Sequence, residues 1–354
     1  MSVERLLLVA NPETVHIGAH LLEAARALAV PVRLCDSRAA FDAPGWVARL
    51  NWRLRGRRPA RLRCFSQNLL QACRDFQPTW LLSTGLAPID QQTLLAIRDL
   101  GIARLNYLTD DPWNPAHRAD WFLRALPYYS HIFSPRQSNL DMLRAHGCRE
   151  VSYLPFGYAR SQHYSERAQP EEEAGLASDV IFVGGADRDR APLVAALIAA
   201  GLRVALYGGY WNRYAATREH HRGHADPQTI RQATAAANIA LCLVRRANRD
   251  GHVMRTFEIA AMGACMLVED TAEHRDIFGP DEEAVVYFRS IPELIHKAQW
   301  LTDHPAERQR LAAAAHARIA AGGHTYEDRL AAMLGLHTDH HEDRYSRPRP
   351  LSCV

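Results

Sequence analysis

Lysine is almost missing from this chain: Lys297 stands alone among 42 basic residues, which leaves 41 arginines. Schiff-base chemistry therefore has one candidate, and any bound phosphate must be met by guanidinium groups, which offer planar two-point contacts. No apolar run approaches the eighteen or so residues of a membrane-crossing helix. The amino terminus has neither the basic region nor the small-residue cleavage site of a secretory signal. The seven cysteines, at 35, 64, 73, 148, 242, 265 and 353, are odd in number and never form C-x-x-C. That argues against a disulfide framework and a zinc site, and fits a reducing cytoplasm.

What is present is the composition of a soluble globular protein, 47% hydrophobic and 23% charged, long enough at 354 residues for two domains. The formal charge of +3 divides unevenly, +6 over residues 1–157 and −3 over 158–354. Strand-type apolar runs at 5–10, 31–35, 79–83, 103–108, 130–133 and 151–154 alternate with helical patterns at 17–29, 65–76, 89–100, 116–125 and 136–146. A second series puts strands at 179–183, 203–207, 239–244, 265–268 and 284–288, with helices at 227–238, 272–278, 291–303, 305–321 and 325–336. Such alternation predicts α/β domains, each a parallel sheet with helices on both faces. The polar stretch 158–177, with Glu171, Glu172 and Glu173, reads as a linker between domains 1–157 and 178–324, and the aperiodic tail 337–354 reads as disordered.

Chemistry concentrates at 250–270, DGHVMRTFEIAAMGACMLVED. Val253, Phe257, Ala260 and Ala261 give a helix one apolar face, Gly263 stops it, and Cys265 to Val268 forms a short strand with Glu269 and Asp270 at its carboxyl end. Arg255 and Glu258, three apart, share a face. A guanidinium beside the free N–H groups of a helix start suits a diphosphate, and a carboxylate one turn on suits the hydroxyls of a ribose. The plain alternative is an i,i+3 ion pair worth about 0.2–0.5 kcal/mol. Upstream, Gly184 and Gly185 precede a helix start, where backbone N–H groups can meet phosphate.

The string H-x-x-R-x-F-E-I-x-x-x-G, carried by His252, Arg255, Phe257, Glu258, Ile259 and Gly263, resembles a donor-site signature. It is that of the spore-maturation-type branch of retaining, family-4-like glycosyltransferases, whose fold is GT-B, two Rossmann-like domains facing across a cleft. The resemblance implies that Glu258 holds the ribose of a nucleotide-sugar and that Arg255 and Arg190 steady the departing diphosphate. Gly184, Gly185, Asp250 and His252 would complete the donor site, with Asp250 standing where the family usually has glutamate. His16 and Gly18, after the first strand, fall in an acceptor-side loop by the same resemblance. The turn Thr109-Asp110-Asp111-Pro112-Trp113 is of a kind the family often carries, so Asp110 and Asp111 would bond sugar hydroxyls while Trp113 stacks on a sugar face. Its plain alternative is an Asx-turn. The helix at 325–336 is of the kind that crosses back onto the first domain. The implied reaction moves a sugar, with retention, from a nucleotide-sugar to a hydroxyl of a glycan, a lipid-linked or a protein acceptor, without metal or other cofactor.

Rival readings attach to particular residues. Asp187-Arg188-Asp189 is a D-x-D triplet, the metal-binding pattern of single-domain GT-A transferases, although the glycine pair before it and the second α/β unit after it favour GT-B. Arg49–Arg63 holds seven arginines with Trp46 and Trp52 close by, a solvated loop or a surface for an anionic membrane or acceptor. No nucleic-acid recognition motif accompanies that charge. Tyr207 or Trp211 is placed to stack on a base. A nucleotide-sugar 2-epimerase and a non-catalytic binding or scaffold protein are the alternatives to transfer.

Overall fold

The five residues Leu6–Ala10 have no polar face to turn to water, and all five are buried inside a parallel sheet. Strands covered on both faces need such unbroken apolar runs. In this computed structural model residues 4–336 are described, so the tail expected to be disordered lies outside the described residues.

The first unit runs to Pro155 and takes in the chain again from Tyr326. Its elements are β1 (Leu6–Ala10), α1 (Ile17–Ala27), β2 (Val32–Asp36), α2 (Gly45–Leu54), α3 (Leu62–Phe76), β3 (Trp80–Thr84), α4 (Gln91–Asp99), β4 (Ala103–Tyr107), α5 (Asp120–Ala125), β5 (His131–Ser134), α6 (Leu140–Ala145) and β6 (Val151–Tyr153). The sheet order is β2-β1-β3-β4-β5-β6, parallel throughout. The second unit spans Phe156–Thr325. It holds α7 (Pro170–Leu176), β7 (Ser178–Val183), α8 (Arg190–Ala199), β8 (Val204–Tyr207), β9 (His221–Gly223), α9 (Pro227–Ala236), β10 (Ala237–Cys242), α10 (Met254–Ala261), β11 (Met266–Glu269), α11 (Ala272–Phe278), β12 (Val286–Phe288), α12 (Ile291–Asp303) and α13 (Pro305–Ala321). Its parallel sheet is ordered β12-β11-β10-β7-β8-β9.

Helix starts follow their sequence signals. Asp90 accepts from the Thr93 N–H, Asp226 from that of Thr229 ahead of Pro227, and Thr271 from that of His274, each meeting a donor the helix itself leaves open. The last helix, α14 (Tyr326–Leu334), packs on α1 within the first unit. The His20 ring stacks on Tyr326 with centroids 5.1 Å apart, and Arg329, fully buried, donates to the Pro155 carbonyl at 2.7 Å.

Two stretches differ from the expectations above. The arginine-rich segment, for which a solvated loop was one reading, begins inside helix α2. The expected linker 158–177 is packed: Arg231 bonds the Glu166 carboxylate at 2.7 Å and the Gln162 carbonyl at 3.2 Å, and α7 lies on α9. The sole lysine is structural, with Lys297 on Asp281 at 2.8 Å and on the Tyr287 carbonyl at 2.6 Å.

Candidate functional site

In each sheet the chain first builds outward to one side and then returns to the other side of the starting strand. The reversal falls between β1 and β3 in the first unit and between β7 and β10 in the second. At such a point the connections leave in opposite directions and open a crevice at the strands' carboxyl ends. In the second unit the connections that meet there are 184–190, after β7, and 243–253, after β10.

The 184–190 loop is fixed by its own side chains. Asp187 Oδ1 accepts from the N–H groups of Asp189 and Arg190 at 3.0 and 2.9 Å, which turns the chain into α8. Arg190 is buried and directed inward. It donates to the carbonyls of Leu243 at 2.9 Å, Val244 at 3.3 Å and Gly185 at 3.3 Å. Arg190, for which the resemblance implied a diphosphate contact, ties the two loops of the crevice together. The next loop packs closely beneath. Gly208 has φ +124°, and a Cβ there would lie 2.6 Å from the Gly184 carbonyl oxygen, so only glycine fits. Tyr207 and Trp211, the expected base-stacking residues, are core instead, with the Trp211 indole donating to the Gly184 carbonyl at 2.8 Å.

The 243–253 loop is closed by Asp250, whose Oδ2 accepts from the Arg245 N–H at 3.2 Å. Arg246 reaches Glu269 Oε1 at 2.9 Å, and Glu269 Oε2 accepts from the Val244 N–H at 3.2 Å. His252 is completely buried. Its Nε2 accepts from the Phe156 N–H at 3.2 Å, so Nδ1 carries the proton and donates to Glu273 at 2.6 Å. A ring so engaged on both edges seats the start of α10. Gly251 makes room for this, since a Cβ on it would overlap the Glu273 carboxyl carbon at 2.3 Å.

Helix α10 has eight residues, shorter than the three turns expected, and ends on Gly263 at φ +74° as the sequence indicates. Beneath its first turn, His274 Nδ1 faces the Glu269 carbonyl at 2.8 Å. A carbonyl only accepts, so Nδ1 is the protonated nitrogen and Nε2 accepts from the Thr256 hydroxyl at 3.0 Å. Thr256 Oγ1 in turn accepts from the Val253 N–H at 3.1 Å. Burial pushes the His274 imidazole down to about 4, whereas the unfolded ring titrates near about 6.5. Between those values the unfolded chain holds a proton that the folded chain refuses, so stability is lost as pH falls from about 6.5 to about 4. The loss from this ring is on the order of 3 kcal/mol. Melting temperatures are expected to fall across that window, and His274→Gln to flatten the decline; parallel curves for both proteins would rule the ring out as its source.

Arg255 and Glu258 are paired, as their spacing indicates, Nη1 to Oε2. The i,i+3 ion pair of the plain alternative is therefore present, but it is not a surface pair. Glu258 is 1% exposed and Arg255 33%, and Oε1 of Glu258 lies 3.7 Å from His163 Nε2. His163 Nδ1 accepts from the Ala159 N–H at 3.0 Å, so in the neutral ring it is Nε2–H that faces the carboxylate. A buried carboxylate costs several kcal/mol unless it is compensated, and here a guanidinium and an imidazole do so. His163 was missed because it lies in a polar stretch with no periodicity. Cys242, at the end of β10, is buried, and that burial pushes its thiol up to about 12.

In the first unit the acidic turn takes its plain form. Asp111 is buried, its Oδ1 accepting from the Trp113 N–H at 3.0 Å and its carbonyl bonding His117 Nε2 at 2.8 Å. Trp113 packs on the core and meets His146 edge-on at 6.1 Å. Both therefore have structural partners within the unit, while Asp110, partly exposed, lies beside Gly85. Arg136, not anticipated, braces the turn by donating to the Thr109 carbonyl at 2.8 Å. His16 is exposed at the start of α1 and pairs with Glu13 at 3.3 Å. Gly18 is buried, and a Cβ there would lie 2.3 Å from the Asn11 carbonyl oxygen. It serves the close approach of α1 to the end of β1.

Residues 188–335 match a family described as glycosyl transferase-like. No curated protein matches the chain by sequence. Among solved structures it is similar to sucrose-phosphate synthase from Thermosynechococcus elongatus, at 12% identity and TM-score 0.65 over 94% of this chain and 98% of that one. It is also similar to HepE from Anabaena in complex with UDP-glucose, at 12% identity and TM-score 0.56 over 93% and 99%. A UDP-N-acetylglucosamine 2-epimerase aligns at 13% identity and TM-score 0.52 over 88% and 91%. At these identities the likeness is one of fold: two Rossmann-like domains of the GT-B class.

Proposed function

We propose that this protein transfers a sugar from a nucleotide-sugar to an acceptor hydroxyl of a glycan, lipid-linked or protein substrate, with retention and without metal, as in the spore-maturation-type branch of family-4-like glycosyltransferases. The observation that carries the reading is the Arg255–Glu258 pair at the opening of α10, at the reversal point of its sheet and inside the matched segment. The complex of HepE with UDP-glucose supports the donor class. One guanidinium edge of Arg255 is spent on Glu258, and its remaining N–H groups, with those of the first turn of α10, suit a diphosphate. Stabilising charge as it develops on the leaving diphosphate is the main electrostatic task in such a transfer. The leaving phosphate takes the acceptor's proton, so no separate protein base is required.

Asp187, the first acid of the D-x-D triplet, caps α8 through Oδ1, and its Oδ2 lies 3.8 Å from Arg190 and 3.9 Å from Arg245. A metal would have to displace both arrangements, which supports a metal-free reaction. Sugar transfer or donor hydrolysis, assayed over a panel of nucleotide-sugars, is expected to survive excess EDTA. Loss with chelator and recovery with Mn²⁺ would assign Asp187 and Asp189 to a metal. The likeness to the 2-epimerase favours one second reading: release of free epimerised sugar without any acceptor selects it, and acceptor-dependent product selects transfer.

A further inference from the structure

Helix α2 adds little to the core of its unit: Asn51 is its one buried residue. Along it, Trp46, Leu50 and Leu54 recur every four residues and are 70%, 50% and 74% exposed, and Trp52 is 51% exposed. Isolated exposed apolar residues need no explanation, but a ridge of them along one helix does. Arg49 and Arg53, at helical angles adjoining Trp46 and Leu50, flank that ridge, and Arg55 and Arg63 follow. None of these four arginines has a carboxylate partner among the described residues, and residues 45–63 contain no Asp or Glu.

We propose that α2 and the turn after it form a docking surface for an anionic lipid bilayer, with Trp46, Leu50 and Leu54 entering the interface and Arg49, Arg53 and Arg55 meeting the headgroup phosphates. A short helix with tryptophan and leucine on one side and arginines beside them is built to lie in the plane of a membrane surface. A second copy of the chain is the poorer occupant, because its seven arginines over the same stretch would oppose these seven. The turn is held firmly. Arg57 adopts φ +60°, donates to the Arg118 carbonyl at 2.8 Å, and accepts at its own carbonyl from the Trp121 indole at 3.3 Å. These bonds pin the surface to α5 and to the connection that precedes it, which also carries Asp110. A lipid-borne acceptor would therefore be presented on that side of the first unit, a consequence that rests on the transferase reading; the docking itself does not.

The test is flotation of the full chain with vesicles of phosphatidylcholine alone or of phosphatidylcholine mixed with phosphatidylglycerol. Binding is expected only to the mixed vesicles and should fall steeply from low to physiological salt, where charge is screened over about 8 Å. The combined Arg49→Gln, Arg53→Gln, Arg55→Gln variant is expected to bind on the order of a hundredfold more weakly, at about fivefold per arginine. Trp46→Ser with Leu50→Ser should also release the protein, while leaving melting temperature and donor binding unchanged because these side chains are exposed. The proposal is overturned if mixed vesicles fail to bind at low salt, if the arginine variant binds like the parent, or if sedimentation shows a dimer that the Trp46 and Leu50 substitutions dissociate. Because donor binding is read separately, loss of transferase activity cannot be mistaken for loss of docking.

Discussion

Arg255→Ala is expected to weaken nucleoside diphosphate binding roughly ten- to a hundredfold, the effect of losing a charge-assisted contact of about 1.5–3 kcal/mol. It will also lower the melting temperature, because Glu258 is 1% exposed and would lose the guanidinium that compensates its burial. The two effects separate in the double variant. Adding Glu258→Gln removes the uncompensated charge, so stability recovers while diphosphate affinity does not. Arg255→Lys should restore only part of the affinity, since an ammonium cannot make two parallel bonds. Glu258→Gln alone should weaken a nucleoside diphosphate but hardly touch inorganic diphosphate if, as proposed, the carboxylate serves the ribose. Calorimetry showing parental affinity in Arg255→Ala would leave the pair as a structural clamp and remove α10 from the donor site.

Arg190→Met is expected to be among the most destabilising single substitutions in the second unit. It strips the donor from three carbonyls, those of Gly185, Leu243 and Val244, where burial already disfavours the charged form of the guanidinium. Buried acceptors left unpaired cost about 1–3 kcal/mol each, so a loss on the order of 3 kcal/mol or more should appear in denaturant melts. Arg188→Met, at an exposed neighbour in the same loop, should shift stability by no more than about 0.5 kcal/mol. Donor affinity should fall with Arg190→Met only as a consequence of the loosened loop. An unchanged melt with collapsed diphosphate affinity would return Arg190 to direct contact with the donor.

The strands were legible because buried parallel strands must be apolar on both faces: Leu6–Ala10, Trp80–Thr84 and Ser178–Val183 lie within a residue or two of their expected limits. Helix α2 was harder to see, since its apolar residues face water and leave no amphipathic stripe turned toward a core. At the site, the Arg255–Glu258 pairing followed from helical spacing, which is a local property. The roles of Arg190, His252 and Trp113 did not, because each depends on a partner distant in sequence. Arg190 reaches Leu243 and Val244, His252 reaches Phe156, and Trp113 packs against His146. A motif names the residue type at a position, but the direction in which its side chain turns is set by what folds against it.

The assignment of α14 to the first unit has a consequence for synthesis. The α1 surface around His20 and the Pro155 carbonyl are completed by Tyr326 and Arg329, so the ribosome must make the whole second unit before the first can close. At about 5–20 residues per second that interval lasts roughly nine to thirty-four seconds. Throughout it the nascent first unit exposes an unfinished apolar seam, while the second unit, continuous from Phe156 to Thr325, is free to fold as soon as it emerges. The first unit is thus the last to be completed, although its chain is the first to be translated.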